Sequence, residues 1–252
     1  IDPLTTTEVA RAALELYFEH RTKRPVGAVM YTHSHIDHYG GVKGVIDVAD
    51  AASDKVAVIA PDGFMEAIGG ENILTGSPMS RRMQFQLGGL LAQGPRGQVD
   101  AGLGKTSARG QVGLIAPNQL IVEYTETPVI DGVEVQFQLA PESEAPAEMH
   151  IYMPQFKVLN MAENATHNLH NFCPIRGAVV RDPLLWSKYL DEAIDLYCAD
   201  CEILIGQHHW PTWGRDRVVD YLAKQRDLYK YIHDQTVRLM NHGLKSAEIA
   251  ER

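Results

Sequence analysis

Apolar positions recur along the chain in two rhythms, one of three to four residues and one of two. Val9, Ala12, Ala13, Leu16 and Tyr17 follow the first, which predicts a helix over 5–24, capped by the threonines before Glu8 and ended by Pro25. A short apolar strand follows over 26–31. Gly40-Gly41 then opens a helix over 42–51, and 56–60 reads as a second buried strand. Helix, strand, helix and strand in that order favour an α/β layered architecture. Residues 62–87 read as mainly helical with a break near 76–78, and 88–113 as a long glycine-rich loop of the kind that is functional or mobile in compact domains. Strands over 120–130 and 133–139 flank Asp131-Gly132, a two-residue hairpin signal. A further strand pair is expected over 148–153 and 157–161, a helix over 184–198 and a strand over 202–206. A long amphipathic helix over 215–241 and the start of another at 246 close the chain. There is no internal repeat, and a boundary near 214 separates a mixed α/β part from an all-helical tail.

Composition narrows the function classes. With 252 residues, 45% of them hydrophobic and 22% charged, the chain has the make-up of a globular protein rather than a disordered one. No apolar run is long enough to span a bilayer. A net charge of −9 argues against a general nucleic-acid binder, which needs a basic surface. The three cysteines, Cys173, Cys198 and Cys201, do not make a disulfide scaffold. Cys198 and Cys201 form a C-x-x-C at the C-terminal end of the expected helix, where the dipole disfavours a thiolate, so a structural role is expected of them. The stretch Gly102-Leu103-Gly104-Lys105-Thr106 is not a phosphate loop. Val99 stands where the first glycine is required, Ser107 fails the dinucleotide pattern, and no buried strand precedes it. A loop lining a pocket is the expectation there.

The chemistry concentrates in Thr32-His33-Ser34-His35-Ile36-Asp37-His38-Tyr39-Gly40-Gly41, which packs three histidines and an aspartate into six residues after an apolar strand. Neutral imidazole is the commonest metal ligand. On a tight turn His33 and His35 can face one metal while Asp37 and His38 face a second. This H-x-H-x-D-H run resembles the metallo-β-lactamase superfamily, and Ile1-Asp2-Pro3-Leu4 resembles its first motif, whose aspartate orients the ligand loop. The later motifs depart from the commonest pattern. Ala140-Pro141-Glu142-Ser143-Glu144 stands where a histidine is usual, Ala162-Glu163-Asn164 where an aspartate is usual, and Gly206-Gln207-His208-His209-Trp210-Pro211 supplies the fifth motif.

Within that superfamily the phrases THSHIDHYGG, APAEMHIYMP, AENATHNLHN, IRGAVVRD and HHWPTWG resemble the zinc-dependent alkylsulfatases along nearly the whole chain. The resemblance implies an αββα sandwich over 1–214, with its N-terminal strands preceding residue 1, followed over 215–252 by the start of an all-α dimerisation domain. An incomplete sandwich is therefore expected, or one completed by a separate segment, from a protein more than twice as long. The resemblance also implies that His33, His35 and Glu144 bind a first zinc, that Asp37, His38 and His208 bind a second, and that Glu163 bridges both. Two Zn²⁺ with imidazole and carboxylate ligands suit the donor types. The carboxylates of Asp37, Glu144 and Glu163 leave one positive charge to be balanced, which a bridging hydroxide would do. Asp37 and Glu163 are the expected catalytic residues, with a metal-activated water as nucleophile.

Glu142 and Glu148 compete with Glu144, and His209 with His208. Spacing favours Glu144, and the opposed side chains of successive extended residues favour His208. Arg176 is the expected sulfate clamp, against a competing ion pair with Asp182 or another carboxylate, and Asn171 could add a hydrogen bond. His167 and His170 are either donors that orient ligands or structural histidines. The substrate implied is a primary or secondary alkyl sulfate ester such as dodecyl sulfate, and the partner a second copy of the chain through the helical domain. The setting implied is bacterial periplasm or secretion. The alternatives are another hydrolase of the same fold, acting on phosphodiesters or thioesters, or a metal-binding fragment without activity of its own.

Overall fold

The alternating runs pair into two sheets, and each strand sends successive side chains into different layers. The computed structural model describes residues 1–123 and 127–252. Strands β1 (Ala28–Met30), β2 (Ala57–Pro61) and β3 (Gln119–Ile121) form a parallel sheet in that order. A separate hairpin joins β4 (Val129–Ile130) to β5 (Val133–Glu134). The second sheet takes β6 (Gln136–Leu139), β7 (Met149–Met153), β8 (Val158–Asn160), β9 (Ile203–Ile205) and β10 (Thr212–Trp213) in the reverse of chain order, with only the β8–β9 pair parallel. Among the described residues, the helices are α1 (Thr7–His20), α2 (Ile36–Tyr39), α3 (Val48–Ala52), α4 (Phe64–Ile68), α5 (Gly76–Gln86), α6 (Pro183–Tyr197), α7 (Arg215–Asn241) and α8 (Ser246–Ile249).

Period-two burial turns these elements into four layers. Val29, Val58 and Ala60 face outward from the first sheet and pack on Tyr39, Phe64 and Ile68. Their neighbours Ile59 and Ile121 face inward and meet Phe137, Met149 and Ile151 of the second sheet. The outer side of the second sheet, with Tyr152, Leu159 and Leu204, is covered by Trp186, Leu190 and Ala193 of α6 and by Val218, Leu222 and Tyr229 of α7. The result is the expected αββα sandwich, with three strands against five. The first half of α7 shares one core cluster with α6, and the Trp186 and Tyr229 rings stack with centroids 4.4 Å apart. No helix among the described residues is long and apolar enough to cross a membrane.

Several elements differ from expectation for local reasons. Helix α1 starts where Thr6 caps it, its hydroxyl accepting from Val9 N at 3.4 Å, but Val9, Leu16 and Tyr17 are exposed. The helix is held by its first turns instead: Gly40, Gly41 and Gly44 lie so close to the carbonyls of Thr5, Thr6 and Thr7 that a Cβ would overlap them. That contact divides the helix expected over 42–51 into a 3₁₀ turn (Val42–Gly44) and α3. The break in 62–87 falls earlier than expected, at a π turn over Gly69–Leu74 that begins on two glycines. Pro78 sits in the first turn of α5, where a proline is tolerated. Residues 124–126 of the strand expected over 120–130 lie outside the described residues, and β3 and β4 occupy its ends. Asp131 and Gly132 both have positive φ, 51° and 82°, as a two-residue hairpin of this twist requires.

Residues 88–113 carry no helix or strand, yet this segment is tied down where it passes the end of the sandwich. Gln111 N donates to the Glu8 carboxylate, Asn168 Nδ2 to Gly102 O at 3.1 Å, and Leu103 O lies 2.8 Å from His208 Nδ1. Cys198 and Cys201 are buried at the base of the α6–α7 core, and burial pushes the Cys198 thiol up to about 12. Because Trp186 joins α6, α7 and the second sheet, Trp186→Ala should lower the unfolding free energy by about 3–5 kcal/mol, measured by urea denaturation. Trp186→Phe should recover most of the loss.

Candidate metal centre

The loop after β1 is fastened before it turns. Asp2 N donates to Met30 O at 2.8 Å, and the Asp2 carboxylate accepts from Thr32 N at 2.7 Å and from Thr32 Oγ1 at 2.6 Å. The same carboxylate lies 3.0 Å from His38 Nδ1 and accepts from Gln207 Nε2. Asp2 is thereby the hub on which the loop, the start of the chain and the segment after β9 converge. Burial works against its charge, but His38 and the Thr32 hydroxyl outweigh that and hold its carboxyl below the usual range. On the far side, Met149 N donates to Thr32 O at 2.8 Å, and His33 and Glu148 pair as an isolated bridge. The loop thus spans the ends of both sheets.

Two clusters of donors result. In the first, His35 Nδ1 and His33 Nε2 stand 2.9 and 3.4 Å from Glu144 Oε2. In the second, Glu163 Oε1 lies 2.7 Å from His38 Nε2 and 3.0 Å from His208 Nε2, while Asp37 Oδ2 is 3.5 and 3.4 Å from the same two nitrogens. Glu163 Oε1 is also 3.8 Å from His33 Nε2, so it stands between the clusters. The seven residues singled out in the sequence therefore meet in two adjoining groups. His33, Glu144 and Glu163 are buried, and about a third of the Asp37 side chain is exposed.

This donor set suits a divalent cation. His33 Nε2 is buried and makes no hydrogen bond, although buried polar atoms are almost always satisfied. Burial opposes charge on Glu163, yet hydrogen bonds to His170, His208 and His38 hold its carboxyl well below the ordinary range. Asp37 is lowered likewise: burial is opposed and outweighed by His38 and His208. The demand for positive charge shows on the histidines. Burial disfavours the imidazolium of His208, but Asp37 and Glu163 push it up to about 10. His33, buried beside His38, is held down at about 3 and keeps a lone pair.

A layer of polar groups fixes these side chains from behind. Arg181, not anticipated from the sequence, is buried with Nη2 on Glu144 Oε1 and Nη1 2.8 Å from His170 Nδ1. His170 Nε2 is 2.7 Å from Glu163 Oε2, so His170 orients a carboxylate. Glu148 Oε2 accepts from Ser143 Oγ, Glu144 N and Ala145 N at 3.0–3.1 Å and shapes the turn carrying Glu144. Asn164 Nδ2 joins the two glutamate segments, donating to Ser143 Oγ at 3.0 Å and to His150 Nε2 at 2.7 Å. Glu142 sits on the exposed outer edge of the turn at φ 62°.

Arg176 projects toward the centre, with Nη2 3.1 Å from His35 Nε2 and 3.9 Å from Glu71 Oε2. Its backbone is held by Gln86 Oε1 and by the Arg82 guanidinium. Asp182 is engaged elsewhere, capping α6 by accepting from Leu184 N and Leu185 N. Glu71, another unanticipated residue, joins His35, Glu144, Ala145, Val179 and Arg181 around a cavity of about 230 Å³. Asn171 is exposed and contributes its carbonyl, which accepts from Arg181 Nη1 at 2.7 Å, while its amide makes no hydrogen bond among those described. His167 is turned away, 2.8 Å from Trp210 O and stacked on Tyr221, and His209 is exposed beside it. Arg181 and Gln207 stand inside runs quoted for their neighbours and Glu71 stands in none, so only their placement marks them.

Comparison with known proteins adds the family context. Residues 1–208 match the model of the metallo-beta-lactamase superfamily. The chain is 55% identical over 251 residues to the alkyl/aryl-sulfatase BDS1 of Saccharomyces cerevisiae, covering 100% of this chain and 39% of that protein. It is 52% identical to a linear primary-alkylsulfatase of a Pseudomonas species, covering 100% of this chain and 37% of that one. The solved structure of Pisa1, described as a stereoselective inverting sec-alkylsulfatase from Pseudomonas sp., superposes with a TM-score of 0.97 at 52% identity, over 100% of this chain and 40% of that one. The chain thus spans about two fifths of the length of these relatives.

Asp2→Ala should leave the Thr32 amide and hydroxyl, the His38 ring nitrogen and the Gln207 side-chain amide without their acceptor, at about 1–3 kcal/mol for each unsatisfied buried group. Melting temperature should fall and metal content should drop together. Asp2→Asn, which keeps one acceptor oxygen, should lie between the two.

Proposed function

The chain belongs to the metallo-beta-lactamase superfamily, and from that premise we propose that it is the metal-holding part of an enzyme that hydrolyses alkyl sulfate esters to alcohol and inorganic sulfate. The superfamily implies a metal cofactor. The convergence of two donor clusters on Glu163, with the Arg176 guanidinium beside them, carries the proposal. The relatives named above as alkylsulfatases, matched over the whole of this chain, support the substrate class.

In this reading His33, His35 and Glu144 would hold one zinc ion and Asp37, His38 and His208 a second, with Glu163 available to both. Bound divalent zinc supplies Lewis acidity that brings the pKa of a coordinated water toward neutrality. The chain's own groups do the rest. Arg176 receives the sulfate head, since a guanidinium fork matches a tetrahedral oxyanion and the acidic chain otherwise repels it. Asp37, the most exposed of the carboxylates, accepts a hydrogen bond from the attacking water and orients it. Glu163 keeps a fixed negative charge between the two ligand groups. Glu71 and the Val179 side of the cavity border the approach to His35 and Arg176. We place 1–214 in the catalytic unit together with the first half of α7, whose Val218, Leu222 and Tyr229 complete its outer layer, and take the rest of 215–252, with Tyr231, Val237 and Met240 exposed, as the start of a helical dimerisation domain.

Metal analysis paired with a dodecyl sulfate assay tests this. Chelation should abolish hydrolysis and zinc should restore it. Glu163→Ala should lose metal and reduce kcat by more than about 100-fold, the scale of losing one preorganised electrostatic group. Retained metal and activity in that variant would sink the assignment. Arg176→Lys should keep its metal but lower kcat/KM by roughly 10- to 150-fold, equivalent to about 1.5–3 kcal/mol for a hydrogen bond to a charged group. An unchanged kcat/KM would remove Arg176 from the sulfate site.

A further inference from the structure

We infer that Arg181 and His170 form a positioning pair that dictates which single oxygen of Glu144 and of Glu163 is offered to the metal. The inference rests on the ligand assignment just given. Arg181 is buried, and a guanidinium has five donors and no acceptor. Its Nη1 lies 2.8 Å from His170 Nδ1 and 2.7 Å from Asn171 O. Arg181 can only donate, so Nδ1 of His170 must be the bare ring nitrogen and the proton must sit on Nε2. The Nε2 proton faces Glu163 Oε2 at 2.7 Å and occupies that oxygen. Oε1 is left, and it is the oxygen that faces His38 Nε2, His208 Nε2 and His33 Nε2 at 2.7, 3.0 and 3.8 Å.

Glu144 is sorted by the other arm of the same guanidinium. Arg181 Nη2 takes Oε1. Oε2 is left facing the ligand histidines, 2.9 Å from His35 Nδ1 and 3.4 Å from His33 Nε2. The two glutamates reach the site from different segments, Glu144 from the β6–β7 turn and Glu163 from the segment after β8. One planar fork therefore makes both of them single-oxygen donors, directly in one case and through a histidine of fixed tautomer in the other. A lysine could supply the charge but not two diverging donors.

The test uses purified protein stripped of metal, with zinc affinity measured by chelator competition and ligand geometry read from the visible spectrum of the cobalt(II)-substituted form. Arg181→Met should weaken zinc binding by about 10- to 100-fold, the usual cost of losing a group that orients a ligand. It should also shift the cobalt spectrum, while circular dichroism stays that of the parent. Arg181→Lys should recover part of the affinity but not the spectrum. His170→Phe combined with Arg181→Met should cost little more than Arg181→Met alone, because the two act as one unit. If Arg181→Met does not fold, Arg181→Lys and His170→Phe carry the same comparison. Parental affinity and spectrum in the Arg181 variants, with metal lost in Glu144→Ala and Glu163→Ala, would overturn the inference and leave the ligand assignment standing. Metal retained in Glu144→Ala and Glu163→Ala would overturn both.

Discussion

Carboxylates buried a few ångström apart repel one another unless positive charge is brought to them, and that constraint organises this molecule. Donor oxygens of Glu144 and Glu163 lie within 4.8 Å of one another at His170, and Asp37 and Asp2 approach the same histidines from other sides. In a low-dielectric interior such a group would normally protonate some of its members. Here Glu144, Glu163, Asp37 and Asp2 are all held below their ordinary range, because His33, His35, His38, His170, His208 and Arg181 surround them. The arrangement is stable only with compensating cations, either protons on His38 and His208 or metal ions.

The sandwich brings the charges together because every contributing segment leaves a strand at the same end. The loop carrying His33 to His38 follows β1, the Glu144 turn joins β6 to β7, Glu163 follows β8, and His208 follows β9. The parallel β8–β9 pair keeps the last two side by side. Asp2 then ties the β1 loop to Gln207, and Met149 N ties it to the second sheet. A shift of one strand by a single residue would send its apolar positions to the wrong layer as well as misplace its ligand. Core packing and site geometry are therefore specified by the same registers.

Behind the ligands lies a second requirement, that buried polar groups find partners. The chain Gln138–His150–Asn164–Ser143–Glu148 runs through the second sheet and meets most of it with bonds of 2.7–3.1 Å, leaving Asn164 Oδ1 and Glu148 Oε1 without a partner. Trp186 Nε1 adds a bond to Asn164 O, linking the helical outer layer to the residue next to Glu163. Connected buried hydrogen bonds of this kind rigidify what they touch. The stability of the α6–α7 layer and the precision of the glutamates are accordingly linked.

Much of this was legible in the chain itself. Period-two runs, the Asp131-Gly132 turn and the long helix at Arg215–Asn241 are local signals, set by side-chain alternation and backbone preference, and they appear where the pattern puts them. The density of His33, His35, Asp37 and His38 in one turn is likewise a local fact that needs no fold to be noticed. Tertiary structure decided whatever depends on an interior. It left the apolar stripe of α1 exposed, because backbone contacts at Gly40, Gly41 and Gly44 hold that helix by its first turns. It set Glu142, Glu144 and Glu148 apart by pointing one outward, one at the histidines and one at the turn's own amides. It also revealed Arg181, an ordinary basic residue before a helix until burial places it between two carboxylates. Patterns along a chain record which face a residue takes, whereas the identity of its partner depends on segments far apart in sequence and close only once the sheets have stacked.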